Sequence, residues 1–275
     1  MNDLNSWDML VLDDEGEELK RFEGNGHGAP GYSRAIKTKY SDDDEFVMWL
    51  KSPCEISIMD LSDFSEIHLE NFWKYKQEDV CATSIAANRE ATNIAGIGFV
   101  PKMSNIQTLH LWKDRIEHNV IEMRTIHKDV AAWLCLELSS DSSTIFVGGS
   151  ESLSLVSGDG FIFALGFDKK TSIAGFKRLN SEAEEVNCVN VIRRYSTEMF
   201  KDMLFVGGFT SLLIMDFADS SFTTLKKLNL QEKNPICDIA LHGTSLIAVN
   251  GDTKILSWNF SDKYAKKLLN KISHE

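Results

Sequence analysis

His110, His118 and His127 are the densest group of potential metal ligands in this 275-residue chain. A zinc site needs three or four convergent ligands, most legibly as H-E-x-x-H on one helix face. Here the intervals are 8 and 9 residues and no such motif occurs, so these histidines read as structural or solvent-facing. Gly149-Ser150-Glu151-Ser152 lacks the second glycine of a G-x-S-x-G nucleophile elbow. Gly24-Asn25-Gly26-His27-Gly28-Ala29-Pro30-Gly31 is the most glycine-rich loop. Such loops cradle phosphate when a helix N-terminus follows. The next stretch, Tyr32–Tyr40, reads as a strand, which leaves an inter-strand connection with His27 exposed. No metal or cofactor is expected.

The cysteines are Cys54, Cys81, Cys135, Cys188 and Cys237, with no C-x-x-C pair among them. The last four recur at 54, 53 and 49 residues, each in an apolar stretch. That places cysteine as a small buried hydrophobe at one point of a repeat.

Two segments carry the chemistry of protein recognition. Asp42-Asp43-Asp44-Glu45 is a run of like charges that resists burial, and it reads as a solvated turn or a dock for a basic peptide. Phe72, Trp73, Lys74 and Tyr75, within Asn71–Lys76, interleave aromatics with lysine. Interface anchors have this composition, although Phe72 and Trp73 equally suit packing between neighbouring sheets. The net charge is −12, and residues 1–100 alone carry 20 Asp/Glu against 9 Lys/Arg. An acidic surface repels phosphate backbones, so direct nucleic-acid binding is disfavoured and a partner with basic segments is the natural complement.

These residues must be positioned by short strands. Apolar stretches of 4–6 residues are bounded by Gly, Ser, Asp and Asn, as in Ile145-Phe146-Val147-Gly148-Gly149 and Leu204-Phe205-Val206-Gly207-Gly208. Strand-to-turn junctions fall at Leu12-Asp13, Met59-Asp60, Trp112-Lys113-Asp114, Leu165-Gly166, Met215-Asp216 and Trp258-Asn259, 43 to 53 residues apart. A period of about 40–50 residues is the signature of a β-propeller. The units run at about 30–73, 79–126, 130–180, 185–230 and 234–272, after a half unit at 7–24.

Unit 130–180 resembles a WD40 repeat. His127 precedes its first strand, Ser139-Ser140-Asp141-Ser142-Ser143 makes its first turn, and Ile145–Gly149 is its second strand. Trp112-Lys113-Asp114 and Trp258-Asn259 stand where that family places its Trp-Asp pair, and Met59-Asp60 and Met215-Asp216 keep the aspartate. No single unit combines the family's His, Ser/Thr, Asp and Trp. The resemblance implies an all-β, WD40-like β-propeller of five whole four-stranded blades plus an N-terminal half blade, in one domain over 1–275. It also implies a non-enzymatic scaffold for protein–protein interaction. Such a scaffold would be a subunit of a larger assembly, binding through its loop face and acidic N-terminal half.

A half blade exposes unpaired strand edges, which a strand from a partner or a second copy is expected to cover. Alternatives are a propeller enzyme with an axial-channel site and a reader of basic peptide tails. An axial site would need His, Asp or Arg at equivalent repeat positions, and the positions that align carry Ala, Cys and Val. No apolar run reaches the ~18 residues of a membrane span. The acidic start, Met1–Asp8, is unlike a signal peptide, so a cytoplasmic or nuclear location is expected.

Overall fold

The glycine pairs in the two Phe-Val-Gly-Gly stretches mark where neighbouring strands approach too closely for a side chain. A Cβ on Gly148 would collide with Val189 and with the Cys135 thiol, and one on Gly208 would collide with Val186 and the Cys188 carbonyl. The preceding Phe and Val fill the core on alternating faces, so one short sequence serves both pairing and sheet-on-sheet packing.

The structure, a computed structural model, describes residues 6–12, 15–25, 36–39, 45–52, 55–60, 63–68, 74–88, 91–103, 106–153, 158–168, 171–181, 186–195, 203–230, 234–252 and 254–260. The chain divides into two units, Met1–Glu122 and Met123–Glu275.

In the first unit, β1 (Ser6–Leu12) and β2 (Glu18–Asn25) form a two-stranded sheet. A four-stranded meander follows: β3 (Ile36–Lys39), β4 (Glu45–Ser52), β5 (Glu55–Asp60) and β6 (Glu66–His68). Next comes a small hairpin, β7 (Lys74–Tyr75) with β8 (Glu78–Asp79). A second meander closes the unit: β9 (Cys81–Ala87), β10 (Ile94–Phe99), β11 (Gln107–Lys113) and β12 (Glu117–Glu122). Met48 and Ile58 pack with Ile85, Ile94 and Trp112 in its core.

The second unit holds two four-stranded meanders. These are β13 (Ala132–Leu138) to β16 (Ile173–Arg178) through β14 (Thr144–Ser150) and β15 (Gly160–Gly166), then β17 (Val191–Tyr195) to β20 (Ser221–Asn229) through β18 (Met203–Gly207) and β19 (Ser211–Ala218). A three-stranded sheet of β21 (Ile236–His242), β22 (Ser245–Asn250) and β23 (Ile255–Asn259) comes last. The first strands lie side by side, β13 next to β17 and β17 next to β21. Two apolar clusters lie between the sheets, one around Phe146, Ile192 and Met215 and the other around Phe205, Ile214 and Leu246.

The all-β reading holds, but the expected five whole four-stranded blades plus a half blade do not. Among the described residues four sheets have four strands, the last has three, and β1–β2 and β7–β8 are separate two-stranded sheets. The described residues therefore do not make up the expected set of blades. The physical reason lies in what the repeat reports. Each junction such as Trp258-Asn259 marks the end of a third strand, and a period of third strands encodes neither a fourth strand nor closure. No helix among the described residues is long and apolar enough to cross a membrane.

Candidate functional site

Lys74 and Tyr75, expected in a connecting loop, form β7 instead. Lys74 pairs with Asp79 and Tyr75 with Glu78 across a two-residue turn. That turn places Lys76 and Gln77 at φ 49° and 70°. Two successive left-handed residues are the geometry that Asn-Gly adopts readily, and other side chains adopt it at a cost. The hairpin is braced from below. The Tyr75 hydroxyl donates to Glu122 Oε2 at 2.9 Å, and its ring packs on the first unit's core. Lys76 Nζ sits 4.9 Å above the Tyr75 ring, and Glu78 pairs with Lys102 at 2.9 Å. Lys74, Lys76 and Gln77 stand exposed. The result is a braced hairpin with lysines exposed at its turn.

Of the other residues expected to bind, Phe72, Trp73, Asp42, Asp43 and Asp44 lie outside the described residues. Glu45 opens β4, paired with Lys39. The glycine-rich loop beyond Asn25 and the thiol of Cys54 also lie outside them.

Two of the three histidines meet. His110 is fully buried; its Nδ1 is 2.8 Å from His118 Nε2 and its Nε2 is 2.9 Å from Thr108 Oγ1. Trp112 stacks on His118 at 4.9 Å and 9°. Burial, with the neighbouring His118, lowers the pKa of His110 to about 3, and burial also lowers that of His118. Both rings are therefore neutral at pH 7. His127 belongs to the second unit, stacked on Phe176 at 5.4 Å. Among the described residues no three His, Cys, Asp or Glu side chains group as a metal site.

The four described cysteines are free thiols, Cys135 and Cys188 buried and Cys81 and Cys237 partly so. Burial pushes the Cys188 thiol up to about 12, which makes it inert at neutral pH.

One constellation escaped the sequence reading. Arg193 Nη2 lies 2.7 Å from Asp238 Oδ1, and its charge also acts on the buried Glu137 carboxylate. These residues occupy the three adjacent first strands β17, β21 and β13. Arg194 Nε donates to the Leu138 carbonyl at 2.8 Å, and the Tyr195 hydroxyl to the Ile239 carbonyl at 2.7 Å. Burial raises the pKa of Glu137 against the pull of Arg193. Burial opposes the charge on Arg193, but Asp238 and Glu137 more than restore it. The positions that align by repeat carry Ala, Cys and Val as expected from the sequence, but the same strands bear charged residues at other positions. Bulges near Leu134 in β13 and Cys237 in β21 shift the side-chain phase, so a fixed period does not align the charged positions. The available signal was an Arg or carboxylate one to five residues after Cys135, Cys188 and Cys237, absent after Cys81. The row is satisfied internally and ties the three sheets together.

No protein-family model and no curated protein sequence matches the chain. Among solved structures it is similar to a protein from Bacteroides uniformis provisionally described as a 6-phosphogluconolactonase. That match has 12% identity and a TM-score of 0.59 over 96% of this chain and 77% of the other. It is also similar to the Cps50 (Swd1) β-propeller domain of Myceliophteria thermophila, at 12% identity and TM-score 0.53 over 85% and 67%. The Dos1 propeller matches at 10% identity and TM-score 0.51 over 93% of this chain, which spans 63% of that one. Likeness at this identity reaches the strand arrangement alone: the chain is a distant structural relative of propeller-type β-sheet proteins.

Proposed function

We propose that the chain is a non-enzymatic scaffold for protein–protein interaction and a subunit of a larger assembly, as its WD40-like repeats imply. The braced hairpin carries this reading. Tyr75 is fixed by Glu122 and by core packing, while Lys74, Lys76 and Gln77 are displayed on a turn held in an unfavourable backbone conformation. The same left-handed pair occurs at the connecting turns Asp114-Arg115 and Asp219-Ser220, so the reading rests on the displayed lysines and not on the backbone cost. The acidic residues of the first hundred supply a second surface, suited to basic segments such as peptide tails.

The test compares proteins captured by the intact chain with those captured by Lys74→Glu/Lys76→Glu, at low and high salt. A stoichiometric partner lost in the variant supports the hairpin. Identical capture by both chains removes it.

A second reading, an enzyme, draws on the Glu137–Arg193–Asp238 row and on the likeness to the presumed lactonase fold. The groups of that row are engaged with one another, which suits a brace better than a reaction centre.

A further inference from the structure

The outermost strands of the sheets differ in one respect. β2 carries Glu18, Lys20, Arg21 and Glu23; β6 carries Glu66; β12 carries Glu117 and Glu122; β16 carries Lys177 and Arg178; β20 carries Lys226 and Lys227. Charge of this kind protects a free edge against pairing with another chain. β23 reads Ile255-Leu256-Ser257-Trp258-Asn259, with neither charge nor proline. Among the described residues no strand pairs with its outer side.

The surroundings of β23 suit an added strand. Leu256 and Trp258 turn inward against the second unit's core. On the opposite face Ile255 is 72% exposed beside its cross-strand partner Val249, and Ile247 is exposed beside Ser257. A cavity of about 340 Å³ runs along the strand, bounded by Leu230 at the end of β20 and by Asn250, Leu256 and Trp258.

We propose that β23 pairs antiparallel with β23 of a second copy of this chain, about a two-fold axis through Ser257. The two three-stranded sheets become one continuous sheet. Ser257 then faces Ser257 of the second copy, Leu256 faces Trp258, and Ile255 faces Asn259. A two-fold axis brings each residue near its own duplicate, so a charged edge such as Lys226-Lys227 repels itself where an uncharged one does not. A five-residue strand and its flanking apolar face bury less than a standard interface, so the dimer is weak. The net charge of −12 opposes it, and salt relieves that repulsion. This proposal stands apart from the hairpin reading.

Sedimentation velocity on the intact chain, over about two decades of concentration at low and high salt, tests it. A monomer–dimer equilibrium that tightens with salt is expected. Ile255→Lys and Ser257→Lys alter exposed side chains and should each raise the dimer Kd about tenfold or more. Ser257→Cys should cross-link to its own copy under mild oxidation, because directly opposed residues lie about 5 Å apart, within disulfide reach. The unsubstituted chain should not cross-link. Any of three results overturns the proposal: a monomer throughout, a dimer indifferent to both lysines, or a dimer that appears only after removal of residues 261–275. The last would assign the slot to the chain's own tail.

Discussion

The Tyr75 hydroxyl and the Glu122 carboxylate, 47 residues apart in sequence, meet at 2.9 Å, so the last strand of the first unit holds down the hairpin that precedes β9. A hydrogen bond to a charged acceptor contributes about 1.5–3 kcal/mol, and less where both partners are only half-buried. Tyr75→Phe should therefore lower stability by about 1 kcal/mol. Tyr75→Ala should cost more, because it also removes the ring's packing on the first unit's core. Urea unfolding of the two variants checks the order; equal midpoints for Tyr75→Phe and the parent would mean the bond contributes nothing.

The turn above that bond should improve when given residues that suit it. Lys76→Asn with Gln77→Gly supplies the preferred residues for two successive left-handed positions and should stabilise the chain by about 1 kcal/mol. On the proposed function, the same change should weaken partner capture, since it removes the lysine at the tip. A more stable chain with undiminished capture would separate the hairpin from recognition.

The local features were legible in the sequence and the long-range ones were not. Ser139–Ser143 forms the turn expected between β13 and β14; the Asp141 carboxylate accepts from Ser139 Oγ at 2.6 Å and from the Ser143 amide at 3.0 Å. Burial of Cys135 and Cys188 was legible from their apolar context, whereas Cys81 and Cys237, read the same way, are only partly buried. The β7–β8 hairpin was not, because Lys76-Gln77 carries no turn signature. The Glu137–Arg193–Asp238 row depends on bulges and on neighbouring sheets, neither of which leaves a fixed spacing. Tyr75 was singled out for its composition, yet its ring packs against the core and only the flanking lysines face outward.

The charged row should behave as a coupled unit. Arg193→Met removes the cation paired with the half-exposed Asp238 and the larger of the two positive charges acting on the buried Glu137, a loss of about 3 kcal/mol. Adding Glu137→Gln should recover part of it, because the buried negative charge is then gone. A double-mutant cycle in urea should show a coupling of about 1–3 kcal/mol. Additive losses would show that Glu137 and Arg193 are neighbours without mutual dependence.

The His110–His118 pair makes stability depend on pH in a defined direction. Folding lowers the pKa of His110 to about 3, whereas in the unfolded chain the ring titrates near its ordinary 6.5. Between these values the unfolded state binds more protons than the folded state, so the slope of unfolding free energy against pH is positive. The contribution is complete above about pH 6.5 and is lost progressively as pH falls towards 3. For one fully displaced proton the slope is about 1.4 kcal/mol per pH unit, and His118 adds to it in the same direction. Urea midpoints measured from pH 7 to pH 4 should fall, and His110→Gln should flatten the curve, though at a lower starting stability. Trp112 offers a second readout: its indole stacks on His118, so protonation of that ring should quench its fluorescence over the pH range where the folded-state His118 titrates. A parent curve no steeper than that of His110→Gln would mean that the buried pair is not the source of the acid sensitivity.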